Sequence, residues 1–352
     1  MSAAPKVLHL HFGKEGGAER FFVNLVRAFG ARGVEQRFVI RPNRSWRDQI
    51  APFGLIVENN YRYLSISSLI LQWHVRRICR TWHPDAIMAW MPRAARLIPD
   101  WPEAVKFTRL GDFPRHLDHF GHCDALVGNT PDIGRHCRAL GWEKPMLTIS
   151  NFARPVPPSP VRRAAHDTPE DAFLIAAAGR FVHRKGMDLV IRAAARLPGA
   201  WLWLIGDGKE RPALEDLARA EGIADRTRFI GWVDEPIHHI AAADALGMAS
   251  RHEPLGNVVL EAWQAGVPVV STRSEGPGWY MRDGIDGRLV EIDDLDAFAA
   301  ALAGLQADRT LGARLAEGGR ARLGELFSED RVVRNYLALF AGDFTDPLER
   351  AE

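Results

Sequence analysis

The chain has 352 residues, 47% of them hydrophobic and 25% charged, with a formal net charge of +1. That is the composition of a soluble globular protein and more chain than one hydrophobic core usually organises, so two domains are expected. No run reaches the roughly eighteen apolar residues of a membrane-spanning helix, residues 1–5 lead into a strand without a signal sequence, and Cys79, Cys123 and Cys137 lack the spacing of a disulfide framework or a zinc site; a cytoplasmic setting is expected. Charge is uneven along the chain: residues 1–150 hold 21 Lys and Arg against 13 Asp and Glu, and residues 151–352 hold 24 against 31. Much of the basic excess lies between Arg20 and Arg80, where it suits an anionic lipid surface, a phosphorylated acceptor or simply a solvated face. Confined to one half and without a recognition motif, it does not suit nucleic acid.

In chain order, residues 6–12 read as a buried strand, Gly13 to Gly17 as a glycine loop, and 18–29 as an amphipathic helix with Phe21, Phe22, Leu25, Val26 and Phe29 on its apolar side. His9 and His11 share one face of that first strand; no third metal ligand follows at a suitable spacing, so they read as packing residues. Further strands are expected at 36–41, 55–58, 86–90, 105–110, 125–128 and 146–150, separated by helical or polar stretches, which is a doubly wound α/β pattern. Residues 61–77 combine Tyr61, Tyr63, Leu69, Ile70 and Trp73 with Arg62, Arg76 and Arg77, as helices lying on a membrane surface do, or as a core helix with a basic end does. The proline-rich run from Pro155 to Pro160 continues neither helix nor sheet. The expected division is a first domain over 1–156, a linker over 157–171, a second domain over 172–327 and a terminal helix in 328–352 that packs back on the first domain. The second α/β series has strands at 173–178, 201–205, 227–230, 245–248, 267–271 and 287–290, with helices at 186–195, 211–220, 237–242 and 257–265.

The most informative segment runs from Arg251 to Ser271. Pro254 and Gly256 break the preceding strand, an apolar helix follows, and Gly266 with Pro268 stops it. The backbone N–H groups of Gly256, Asn257 and Val258 at that helix start, where the macrodipole adds about half a positive charge, suit a diphosphate. Glu253 before the helix and Glu261 within it suit the hydroxyls on either side. No GxGxxG follows a strand, which disfavours a nicotinamide dehydrogenase.

Four further elements accompany that segment in order: Gly16-Gly17-Ala18-Glu19, Gly179-Arg180-Phe181-Val182-His183-Arg184-Lys185-Gly186, Leu204-Ile205-Gly206-Asp207-Gly208, and Phe229-Ile230-Gly231-Trp232-Val233. Together the five resemble glycosyltransferase family 4, retaining enzymes of the GT-B fold, in which two Rossmann-like domains face each other across a cleft, and in particular its bacterial envelope and lipopolysaccharide members. The resemblance implies that Arg180 and Lys185 neutralise the diphosphate of a nucleotide-sugar donor without a metal ion, that Glu253 bonds the donor sugar and Glu261 the ribose, and that Gly16 and Gly17 allow close approach to the phosphate. Backbone groups from Gly231 to Val233 would meet the base. It also implies a histidine near the donor sugar, assigned to His116 rather than His119; Asp112, on its position alone, and Glu19 are acceptor-side candidates. No cofactor is implied; the partners are the donor, a glycan or glycolipid acceptor and an anionic membrane surface at the inner face of the cytoplasmic membrane. The chain departs from the family pattern at Gly276-Pro277-Gly278-Trp279-Tyr280, where relatives usually carry a glutamate. Two rival readings are a GT-B sugar-nucleotide epimerase and a non-catalytic nucleotide-sugar-binding protein.

Overall fold

Short apolar runs punctuated by glycine, proline and charged residues form two sheets, as expected of strands buried on both faces. The computed structural model describes residues 4–13, 17–60, 66–154 and 156–349; Gly16, Tyr61, Arg62, Tyr63, Leu64 and Pro155 lie outside the described residues. The first sheet contains β1 (Lys6–His11), β2 (Glu35–Ile40), β3 (Gly54–Glu58), β4 (Ala86–Trp90), β5 (Val105–Leu110), β6 (Ala125–Gly128) and β7 (Met146–Thr148). The second contains β8 (Leu174–Ala178), β9 (Trp201–Ile205), β10 (Thr227–Gly231), β11 (Ala245–Met248), β12 (Val269–Thr272) and β13 (Arg288–Val290). Their orders are β3-β2-β1-β4-β5-β6-β7 and β10-β9-β8-β11-β12-β13, with every pairing parallel. In each sheet the order reverses beside the first strand, between β1 and β4 and between β8 and β11. Ligands of open α/β sheets bind in the crevice at the carboxyl ends of such strands.

The chain divides into one unit of Met1–Phe152 with Glu329–Glu352 and a second of Ala153–Ser328. In the first, the helix Gly17–Ala31 buries Phe21, Phe22, Leu25, Val26 and Phe29 on the sheet, and the terminal helix Glu329–Phe340 adds Val332, Val333, Tyr336, Leu339 and Phe340 to the same core. His9 and His11 are fully buried there.

The segment expected as a linker is packed chain of the second unit, whose boundary falls at Ala153. Proline bars it from helix and ladder but not from docking. Arg163 Nη2 donates to Asp244 Oδ2 (3.0 Å), Val161 N–H to the His238 carbonyl (3.0 Å), and Trp203 Nε1 to Thr168 Oγ1 (2.9 Å). The second unit ends in helices Leu295–Ala307 and Arg309–Phe327, N-capped by Asp294, which accepts from Ala297 N–H, and by Asp308, which accepts from Thr310 and Leu311 N–H.

Candidate active site

At the reversal point of the second sheet, the loop leaving β8 and the loop leaving β11 must come together, and each brings one of the charged groups singled out by the sequence. After β8 the chain makes a short 3₁₀ turn, His183–Lys185, tied by Lys185 N–H to the Val182 carbonyl (2.8 Å). After β11, Arg251 fastens the two loops: its N–H donates to the Arg184 carbonyl (2.8 Å), its Nη1 to the His183 carbonyl (2.8 Å), and its Nη1 and Nη2 to Asp188 Oδ1 and Oδ2 (2.9 and 2.8 Å). Burial raises the Asp188 pKa, but the Arg251 guanidinium outweighs it and holds the carboxyl below its ordinary value. With the loops so fastened, Lys185 Nζ and the Glu253 carboxylate form an ion pair. Ser250 Oγ lies 3.4 Å from Glu253 Oε2, and Glu253 is buried.

Glu253 precedes Pro254, which confines it to extended backbone. Three residues on, Gly256 turns the chain with φ +87° and opens the nine-residue helix Asn257–Ala265. That left-handed conformation favours glycine, and the site is tight as well: a Cβ at Gly256 would lie 3.2 Å from Tyr280 Oη and 3.4 Å from Glu253 Cγ. The start of this helix, with its outward N–H groups, therefore adjoins the Lys185–Glu253 pair. Tyr280, buried below, donates to the Leu255 carbonyl (2.8 Å); burial, then the Glu253 charge, raises its pKa. Asn257, Val258 and Glu261 are half-buried on the helix.

Arg180 is exposed on the loop after β8. The carbonyl of Gly231 accepts from Gly206 N–H (2.8 Å), so that group is already engaged, and Val233 is half-buried. In the first unit, Gly17 opens its helix and Glu19 is buried in the first turn. Asp112, two residues beyond β5, accepts from Phe113 N–H (2.9 Å). His119 is engaged with Arg96 Nε (3.0 Å), and burial, then the Arg96 charge, lowers its pKa; His116 is exposed. Lys185, Glu253, Gly256 and the Asn257–Ala265 helix are thus brought together within one unit, while Gly17, Glu19, Asp112 and His116 belong to the other.

Several polar residues at these strand ends escaped the sequence reading. Glu275, after β12, grips the Glu253 loop: its Oε2 accepts from Glu253 N–H (2.9 Å), and its Oε1 lies 2.7 Å from His252 Nδ1. In the first unit, His11, Trp90 and Arg109 occupy one register row across β1, β4 and β5. The Arg109 guanidinium is buried, bonded to Asn151 Oδ1, and lies 4.6 Å from the Phe21 ring centre and 5.3 Å from that of Trp90. Met91, directly after β4, has φ +71°, a strained conformation for a non-glycine residue at the strand-order reversal. No group of three His, Cys, Asp or Glu side chains suited to a metal occurs among the described residues. The three cysteines are free and buried, with pKa values raised by burial to about 11, 12 and 11 at Cys79, Cys123 and Cys137.

Residues 159–322 match the family model described as Glycosyl transferases group 1. Over 336 residues, 96% of this chain and 99% of the relative, the chain is 48% identical to the lipopolysaccharide core biosynthesis glycosyltransferase LpsE of Rhizobium meliloti (strain 1021). It is 46% identical over 335 residues to LpsD of the same organism, likewise a lipopolysaccharide core biosynthesis glycosyltransferase, covering 95% of this chain and 98% of that one. Among solved structures, a glycosyltransferase from Rickettsia africae ESF-5 has a TM-score of 0.85 at 16% identity, over 97% of this chain and 99% of that chain, a likeness of fold. The two Rossmann-like sheets are those of the GT-B class. The chain is a glycosyltransferase, and it belongs to the glycosyl transferases group 1 family.

Proposed function

We propose that this protein moves a hexose-type sugar from a nucleotide diphosphate donor to a hydroxyl of a lipid-linked glycan of the lipopolysaccharide core type, with retention at the anomeric carbon and without a metal ion. The observation that carries the reading is the Lys185–Glu253 ion pair beside the start of the Asn257–Ala265 helix. As the glycosidic bond breaks, both its electrons leave with the diphosphate, and the added charge falls where Lys185, Arg180 and the Asn257 and Val258 amides can meet it, a stabilisation larger in the transition state than before it. Glu253 accepts from hydroxyls of the donor sugar and Glu261 from the ribose. Of the residues of the first unit, Gly17 allows close approach to the phosphate, His116 serves the donor sugar, and Asp112 and Glu19 take the acceptor side. The acceptor hydroxyl attacks from the face the diphosphate leaves, and a diphosphate oxygen takes its proton. The acceptor class follows the names of the two full-length relatives.

The surface of the first unit supports a lipid-borne acceptor. The helix Ile66–Trp82 buries Leu71, Val75 and Cys79 and turns Leu69, Ile70 and Trp73 outward at 67%, 47% and 54% exposure, followed along the helix by exposed Arg76, Arg77 and Arg80. No helix among the described residues is long and apolar enough to cross a membrane. An apolar patch continued by arginines suits peripheral attachment to an anionic leaflet.

The test is a panel of nucleotide-sugars, first by thermal shift and then in transfer to lipopolysaccharide with a truncated core. One donor is expected to raise the melting temperature and to give product in excess EDTA with its anomeric configuration kept in the NMR spectrum. Failure to transfer from every donor, inversion, or a requirement for a divalent ion counts against the corresponding part of the reading. Vesicles containing phosphatidylglycerol should sediment the protein, and Trp73→Ala should weaken this; equal sedimentation by neutral vesicles would remove the anionic surface.

A further inference from the structure

Glu253 needs a fixed direction to serve two partners, and the loop that carries it, between β11 and the Asn257–Ala265 helix, has no ladder of its own. Pro254 supplies no N–H, and a buried backbone N–H at residue 253 must find an acceptor elsewhere. The acceptor comes from the neighbouring strand. Because β12 pairs with β11, the residue that leaves β12 and starts the next helix, Glu275, arrives beside the β11 loop. Its Oε2 accepts from Glu253 N–H at 2.9 Å, and its Oε1 stands 2.7 Å from Nδ1 of His252. The following residue closes the bracket in the opposite sense, Gly276 N–H donating to the Glu253 carbonyl at 2.9 Å. That approach needs glycine: a Cβ on Gly276 would lie 2.4 Å from the Leu255 carbonyl oxygen and 2.6 Å from Leu255 Cα. Both backbone groups of residue 253 are thus held by the first two residues of the helix Glu275–Tyr280, while its side chain reaches Lys185 and Ser250.

We infer that Glu275 is a positioning residue for Glu253: by gripping the Glu253 N–H and the His252 ring it sets the direction in which the Glu253 carboxylate points, and so the geometry at which Glu253 meets Lys185 and the donor sugar. The inference rests on the sugar-contacting role proposed for Glu253. Burial raises the Glu275 pKa, but the bonds from the Glu253 N–H and from His252 outweigh it and keep the carboxyl below its ordinary value.

The test compares Glu275→Ala, Glu275→Gln and Glu275→Asp with wild type, using the donor on which wild type turns over. Alanine removes both bonds and should lower kcat/KM about ten- to a hundredfold, the scale of a small misplacement of a reacting-site group. Affinity for the corresponding nucleoside diphosphate, which lacks the sugar Glu253 serves, should stay within about twofold, because the helix-start amides and the Lys185 cation are both still present to meet the diphosphate. Glutamine can accept from Glu253 N–H through its carbonyl and, with the His252 hydrogen moved from Nδ1 to Nε2, donate to Nδ1 through its amide, so it should restore activity to within about threefold. Aspartate keeps the charge but withdraws it by one methylene and should lose about tenfold; it serves if the alanine variant does not fold. A folded alanine or aspartate variant with wild-type kcat/KM, or a glutamine variant as impaired as alanine, overturns the assignment. So does nucleoside diphosphate affinity falling in step with kcat/KM. One readout needs no turnover: in crystal structures of wild type and Glu275→Ala, the Lys185–Glu253 contact should open beyond the ion-pair limit of about 4 Å or spread over several conformers. An unchanged contact overturns the inference, whereas absence of transfer by wild type with the contact altered as expected strikes only the proposed function.

Discussion

Lys185 and Glu253 lie 68 residues apart in the chain and meet as an ion pair at the strand-order reversal of the second sheet. Removing one partner of a pair in so enclosed a place leaves the other charge poorly compensated, and here the cation is also assigned to the departing diphosphate. Lys185→Ala is therefore expected to cost about 2–4 kcal/mol of transition-state stabilisation, a fall in kcat of about thirtyfold to nine-hundredfold. Glu253→Gln should lower kcat too, and because the two groups act on one another, Lys185→Ala with Glu253→Gln should lose less than the product of the single losses. Steady-state kinetics of the three variants decide it: an unchanged kcat in Lys185→Ala removes the charge-stabilising role, and strict multiplicativity removes the coupling.

The parts of this site that could be read in the sequence are those whose chemistry is local. The strands show because apolar runs such as Leu174 to Ala178 stand between loop residues, and the helix start shows because Gly256 and Pro254 break the chain immediately before Asn257. Glu253 and Glu261 stand out by their spacing around that break. Glu275 does not: its partner is 22 residues away and is chosen by the pairing of β11 with β12, which no local pattern encodes. Arg109 was hidden similarly, since a basic residue in a strand reads as exposed until Asn151, Phe21 and Trp90 are seen around it. The linker expectation failed for a related reason. Proline content reports which ladders a segment cannot join, whereas Arg163 and Thr168 are held by Asp244 and Trp203, far along the chain.

Gly256 offers a test of the helix start. At φ +87°, an alanine pays about 1–2 kcal/mol for the left-handed conformation, and its Cβ would press on Tyr280 Oη. Gly256→Ala should melt at a lower temperature and bind the donor nucleotide more weakly, because the amides of Asn257 and Val258 shift with the turn. Calorimetric titration showing wild-type affinity in a folded variant would separate the phosphate site from this turn.

The first unit should weaken in acid. His9 and His11 are buried among Phe22, Phe38, Trp46 and Trp90, and burial lowers the pKa of each from 6.5 to about 3. Their folded pKa lies below the unfolded one, so the unfolded chain binds more protons between pH 6.5 and pH 3. Their contribution to stability is whole above pH 6.5 and declines through that window, by about 1.4 kcal/mol per pH unit for each histidine. His11→Gln keeps an acceptor for the Gly13 N–H that His11 Nδ1 now receives at 3.1 Å and removes one titrating group. Its denaturant stability should fall less steeply from pH 6.5 towards pH 4 than that of wild type, by about one histidine's share; parallel curves would show that acid acts elsewhere.

Two glycines of the same helix, Arg309–Phe327, should respond to alanine with opposite signs. Within a helix alanine is favoured over glycine by about 1 kcal/mol, because glycine loses more backbone freedom on folding. At Gly324 a Cβ would meet nothing within 4 Å, so Gly324→Ala should stabilise the second unit by about 0.5–1 kcal/mol. At Gly319 the same Cβ would fall 2.2 Å from Trp263 Cδ1 and 2.4 Å from its Nε1. Trp263 cannot step aside freely: it is fully buried, and its Nε1 donates to the Asp286 carbonyl at 2.9 Å. Forcing it off its position costs about 1–3 kcal/mol, the usual scale of overpacking, which exceeds the helical gain. Gly319→Ala should therefore lower the melting temperature while Gly324→Ala raises it, both measured by calorimetry with the Trp fluorescence followed in parallel. If both variants gain stability, the indole has room to move, and the close packing of this helix on Trp263 is not what sets the stability of the second unit.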